Sequence, residues 1–147
     1  MQTQSEIEAL AYAKLQDAEL LAENSRFDSA YYLAGYAVEL LLKARVCKTP
    51  GIPDFFDFDN AERKKLKNES VITKPFKVHD FEQLFILSGI YREFKNELAI
   101  NELFKFHWST IVKWNENSRY LTGGNREYVK DFIISVKEVM LWIQKHL

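Results

Sequence analysis

One stretch, residues 26–45, decides most of what this chain can fold into: Arg-Phe-Asp-Ser-Ala-Tyr-Tyr-Leu-Ala-Gly-Tyr-Ala-Val-Glu-Leu-Leu-Leu-Lys-Ala-Arg. Apolar residues recur at Ala30, Leu33, Ala34, Ala37, Val38, Leu41 and Leu42. That is the i, i+3, i+4, i+7 spacing of a helix, not the alternation of a strand. Tyr31, Tyr32, Tyr36 and Leu40 carry the apolar surface almost all the way round. A helix of that kind is buried on most sides, so the rest of the chain has to pack about it. One narrow strip stays polar: Asp28, Gly35, Tyr36, Glu39 and Lys43.

The flanking sequence supplies the partners. A first helix is expected from about Glu6 to Asn24, opened by a capping box between Ser5 and Glu8. Ile7, Leu10, Ala11, Ala18, Leu21 and Ala22 give it an apolar face interrupted by Lys14. Asn24-Ser25 breaks it, and a connection that short implies an antiparallel hairpin with the central helix. The central helix should stop near Cys47, before Thr49-Pro-Gly-Ile-Pro53. Residues 48–78 then read as an irregular insertion between the second and third helices, with Phe55, Phe56 and Phe58 set among aspartates and a basic run at Arg63, Lys64, Lys65 and Lys67.

A short third helix follows His79, capped by Asp80 and ended by Gly89, with Phe81, Leu84 and Phe85 inward. Tyr91 to Leu98 adds a turn or two. Ile100 to Trp114 reads as one helix, apolar on two sides, which suggests a core on one side and a subunit interface on the other. Asn125 caps a last helix to about His146, whose stripe is Val129, Phe132, Ile133, Val136, Val139, Met140 and Ile143. The sequence therefore predicts one domain over 1–147: an all-α, up-and-down bundle of four to six helices.

Bulk properties exclude several classes. With 47% hydrophobic and 28% charged residues the chain is globular, not disordered. The net charge of -1 gives no global attraction to nucleic acid, so any anion contact has to be local. A lone cysteine, Cys47, permits no internal disulfide, which fits a reducing compartment. The polar, acidic start is not a secretory signal. The longest apolar run, Ala30 to Leu42, is too short to span a bilayer. The expectation is a cytoplasmic protein with no membrane association.

Several constellations could carry chemistry. His79, His107 and His146 stand apart from one another and from Cys47, so no metal site and no cofactor is expected. His107, among Phe and Trp, reads as a hydrogen-bonded core or interface residue. Gly123-Gly124-Asn125 could offer amides to a phosphate, with Arg119 and Arg126 near, but a capped turn explains it as well. Tyr31, Tyr32 and Tyr36 could stack a base, yet at helical spacing they suit packing. Glu39 and Lys43 form an i, i+4 pair in the favourable order on a helix too apolar to leave them exposed. Such a pair calls for a further partner, for which Arg119 is the candidate, in a mixed-charge polar pocket lined by Glu39, Lys43, His79 and Arg119.

Three stretches resemble the HEPN domain family. The first is residues 26–44, matching the family's Ala-Gly-Tyr-Ala-x-Glu-x-x-Leu-Lys-Ala core; the second is His79-Asp-Phe-x-x-Leu84; the third is the Arg119-Tyr120 pair. Order and spacing agree over about Ala9 to Ile143. The resemblance implies an up-and-down bundle, commonly a homodimer, often encoded beside a small nucleotidyltransferase partner or within a toxin–antitoxin system. Many members are metal-independent ribonucleases carrying an Arg, four to six residues, then a His. No arginine here is followed by a histidine at that spacing. The match is thus to a non-catalytic branch, for which nucleotide or RNA binding is the role implied.

On that basis Glu39, Lys43, His79, Asp80, Arg119 and Tyr120 are the candidate nucleotide-binding residues, with no catalytic residue assigned. Two alternatives stand beside the binding module. One is a divergent ribonuclease using His107 or His79 with Arg119. The other is a pure protein-interaction, antitoxin-like partner.

Overall fold

The computed structural model describes residues 3–46, 79–120 and 123–146, and the side chains of Arg119 and Tyr120 are not among those described. The expected insertion over 48–78, with its aromatic and basic runs, and the stop after Cys47 lie outside the described residues. Within them the chain is all-helical: α1 Gln4–Glu23, α2 Phe27–Val46, α3 Phe81–Ser88, α4 Tyr91–Ile100, α5 Glu102–Ile111, a 3-10 turn η1 at Glu116–Tyr120, and α6 Arg126–Gln144. They form a helical bundle in which α2 touches α1, α3, η1 and α6, while α6 also packs on α5.

The centrality of α2 follows from its all-round apolar surface. Ala30, Ala34, Ala37, Val38, Leu41, Leu42 and Ala44 are sealed from solvent. Alanines at four of these positions let neighbouring helices approach closely, and the leucines fill the spaces between. The stripe predicted for α6, Val129 through Ile143, is buried in full.

Two details of the first helix differ from expectation. The capping box uses Thr3 and Glu6: the Thr3 hydroxyl accepts from the Glu6 amide at 3.2 Å, and the Thr3 amide donates to the Glu6 carboxylate at 2.8 Å. The Ser5/Glu8 pair has the same spacing, but the cap at Thr3 lengthens the helix by about half a turn. That face is Ile7, Ala11, Leu15 and Ala18. Leu15 takes the place expected near Lys14, whose side chain reaches instead toward Asp17.

The expected helix Ile100–Trp114 is shorter and separate. Asn101 leaves the helical conformation (φ -118°, ψ 100°) and its side chain accepts from the Phe104 amide at 3.0 Å. Asparagine competes well for that capping role, so Ile100 ends α4 and α5 starts at Glu102. Val112 is exposed beyond the end of α5. Asp80 and Asn125 cap α3 and α6 as expected, and Gly89 ends α3 in the left-handed region at φ 82°.

Candidate functional site

The polar strip of α2 is not open to solvent. Glu39 and Lys43 are 1% and 4% exposed, and Lys43 Nζ donates to Glu39 Oε1 at 2.6 Å. A buried carboxylate wants more than one donor. The second comes from His79, just ahead of α3, whose Nδ1 lies 2.8 Å from the same oxygen. The other ring nitrogen, Nε2, lies 3.2 Å from Oε2 of Glu116 in η1. An ionised carboxylate can only accept, so both contacts are satisfied together when the ring carries both N–H protons. His79 thereby ties the start of α3 to α2 on one side and to η1 on the other. Its side chain remains 37% exposed, which makes it the point where the buried pair reaches the surface.

Beside His79 the start of α3 and the α5–η1 connection enclose a cleft of about 370 Å³. Phe81 and Trp114 form its aromatic floor; their rings stack 5.3 Å apart and within 3° of parallel. Trp114 is held from behind by Tyr32, at 5.9 Å, and by the bare Cα of Gly35. The rim combines the amides of Gln83, Asn115 and Asn117 with the carboxylates of Asp80, Glu82 and Glu116. All three acids are already engaged: Asp80 caps α3 through the Gln83 amide, Glu82 accepts from the Tyr91 hydroxyl, and Glu116 meets His79.

The chain matches no protein-family model, no curated protein and no solved structure. What the site can do is therefore read from its geometry.

Of the six candidate binding residues, His79 and Asp80 line the cleft. Glu39 and Lys43 are joined to it only through His79 and present no surface of their own. Arg119 and Tyr120 lie in η1, which packs on α2 and contributes Glu116 and Asn117 to the rim; the partner seen on Glu39 besides Lys43 is His79. Glu116, Trp114 and Phe81 were not among the candidates, although the aromatic and polar mixture of residues 114–120 was visible in the sequence. Glu116 reaches His79 through a contact between distant segments, which no local pattern encodes.

The other constellations resolve into structural roles. His107 is 8% exposed, and its Nδ1 meets the Ser135 hydroxyl at 2.9 Å, pinning α5 to α6 away from the cleft. The Gly124 amide donates to Asp28 Oδ1 at 2.6 Å, so a carboxylate of the chain itself occupies the place a phosphate would take. A Cβ at Gly124 would press on that oxygen, which sits at the end of a flexible side chain. Tyr31 packs on Phe132 with ring centroids 4.4 Å apart. Burial pushes its phenol well above the ordinary tyrosine range, Tyr128 beside it adds to the shift, and a hydrogen bond with Ser118 opposes it. Burial, with a smaller contribution from Glu39, likewise raises Tyr36. Among the described residues no three His, Cys, Asp or Glu side chains converge as metal ligands, and no helix is long and apolar enough to cross a membrane.

Proposed function

We propose that this chain is a HEPN-like binding module, acting as a homodimer, that takes the base and ribose of a nucleotide or of an RNA end into the cleft beside His79. The observation that supports this reading is the composition of that cleft: Gln83, Asn115 and Asn117 on its rim beside the largely buried rings of Phe81 and Trp114. A volume of about 370 Å³ falls within the ordinary size range of small-molecule sites. Carboxamides can read the hydrogen-bonding edges of a base.

The carboxylates of Asp80, Glu82 and Glu116 repel a phosphate from the interior, so phosphates of the ligand face outward. Arg119, two residues beyond the rim residue Asn117, is the candidate to meet them. Glu39 and Lys43 act from beneath, holding His79 in place. His107 stands outside the cleft against Ser135, and no feature of the site favours cleavage over binding.

Isothermal titration with adenosine, ATP, GTP and a short single-stranded RNA tests the reading. Binding is expected to weaken at least tenfold in Asn117→Ala, a substitution on the exposed rim, and to weaken for the phosphorylated ligands alone in Arg119→Ala. Absence of heat with all four ligands at protein concentrations well above micromolar overturns it.

A further inference from the structure

The ring of His79 lies between two carboxylates that belong to different elements. Oε1 of Glu39 in α2 is 2.8 Å from Nδ1, and Oε2 of Glu116 in η1 is 3.2 Å from Nε2. The two acids differ in their surroundings. Glu39 is 1% exposed and also takes the Lys43 ammonium at 2.6 Å, whereas the Glu116 side chain is 47% exposed. The other charged groups that line the cleft with the ring, among the described residues, are Asp80 and Glu82 at the start of α3. Asp80 turns to the Gln83 amide and Glu82 to the Tyr91 hydroxyl.

An ionised carboxylate can only accept, and a neutral imidazole carries one N–H. The ring therefore holds both acids only while it is protonated. Imidazoles gain and lose that proton between about pH 5 and pH 8. Once it leaves, the two acids compete for one N–H, and burial decides between them. A carboxylate sealed from water has no solvent to replace a lost donor, while the half-exposed Glu116 has. The N–H stays on Nδ1, facing Glu39. The lone pair bared on Nε2 then faces the Glu116 oxygen, acceptor against acceptor, and Glu116 turns to water. Both residues line the cleft, so its wall changes with the proton.

We propose that His79 is a proton-operated latch on the cleft: protonated, it holds η1 to α2 through Glu116; neutral, it releases the Glu116 edge and leaves Nε2 as an acceptor. The latch itself needs no ligand. Its effect on binding rests on the nucleotide binding proposed above. The released cleft offers Nε2 and the Glu116 carboxylate to the N–H and O–H donors of a base and ribose, with no internal contact left to break. Uptake of a nucleoside is then coupled to loss of one proton and tightens as the pH rises.

Nuclear magnetic resonance of the full chain tests the latch without a ligand. The amides of Asn117 and Ser118, both bonded to Asn115, report on η1. Their exchange protection, corrected for the intrinsic effect of pH, should fall about threefold between about pH 5.5 and about pH 8, in step with the His79 ring protons. The amides of α2 around Glu39 should keep theirs. Glu116→Gln should remove the fall, because a carboxamide can donate to bare Nε2 as well as accept from Nε2–H. Constant protection in wild type, or a fall of the same size in Glu116→Gln, overturns the latch. Calorimetric titration with adenosine at the same two pH values tests the coupling. Binding should be about threefold tighter at the higher pH in wild type and equal at the two in Glu116→Gln. Equal affinity in wild type overturns the coupling and leaves nucleoside binding standing. Absence of binding at both, with the fall at η1 intact, overturns nucleoside binding and leaves the latch standing.

Discussion

The indole of Trp114 lies directly over Gly35, where a Cβ would come within 2.3 Å of the ring. The glycine is a notch in the most buried helix of the bundle, and the ring it admits is the floor of the cleft. Gly35→Ala would gain about 1 kcal/mol of helix propensity. Displacing a ring that is itself clamped between Phe81 and Tyr32 costs more, about 2–3 kcal/mol, the upper part of the usual overpacking range. The expected net result is a loss of about 1–2 kcal/mol in urea unfolding, with a shift in tryptophan emission. Trp114→Leu should lessen the penalty of Gly35→Ala. A Gly35→Ala protein as stable as wild type would mean that the indole does not occupy the notch.

Glu39 and Lys43 pose a different question, because both are charged and both are buried. Removing the Glu39 carboxylate takes from the buried Lys43 ammonium its acceptor at 2.6 Å. Glu39→Gln should therefore cost about 3–5 kcal/mol, the usual result of breaking a buried pair. Replacing both by methionine removes the ammonium along with the carboxylate, and should cost less than half as much. Denaturant midpoints of the two variants decide the matter. Equal losses would show that the pair contributes through packing and not through charge.

Much of this was legible in the sequence, and the reasons differ from residue to residue. The helices of the bundle were readable because apolar residues repeat with the helical period, and Asp80, Gly89 and Asn125 mark ends by local chemistry. The union of Glu39, Lys43 and His79 was readable in outline, since a charged pair on an apolar helix demands a further partner. Gly35 was harder to read: in a polar strip it looked like part of a surface, whereas it is a space reserved for a ring from a segment far along the chain. Asn101 fell just inside the helix start expected at Ile100, so its capping role was hidden. The contact of Glu116 with His79 depends on where a 3-10 turn comes to rest, and a turn of that length carries no periodicity to betray it.

Tyr31 gives the bundle a dependence on alkaline pH. Burial raises its phenol above the ordinary range in the folded chain, while in the unfolded chain it ionises near pH 10. A raised folded value means that the stabilisation is complete below about pH 10 and is lost as the pH climbs beyond it, at up to ~1.4 kcal/mol per pH unit for one such group. Tyr36, raised by burial too, adds to the same limb. Unfolding in urea between pH 8 and pH 11 should show this fall, and Tyr31→Phe should flatten it. An unchanged slope in the phenylalanine variant would assign the alkaline loss to other groups.

His79 joins three elements through one ring, and its removal should loosen them unequally. Its contact with Glu116 is the longer of the two and is half-exposed, so it contributes little to global stability. Glu39 keeps Lys43 after the ring is gone, so α2 stays in place. The turn η1 loses its tie to α3, and the cleft loses a wall. His79→Ala should therefore leave the unfolding midpoint close to wild type while hydrogen exchange quickens at the amides of Glu116, Asn117 and Ser118. The amides of α2 around Glu39 should keep their protection. A uniform quickening over the whole chain would point to lost global stability, and no change at η1 would show that the turn is held by its packing on α2 without help from the ring.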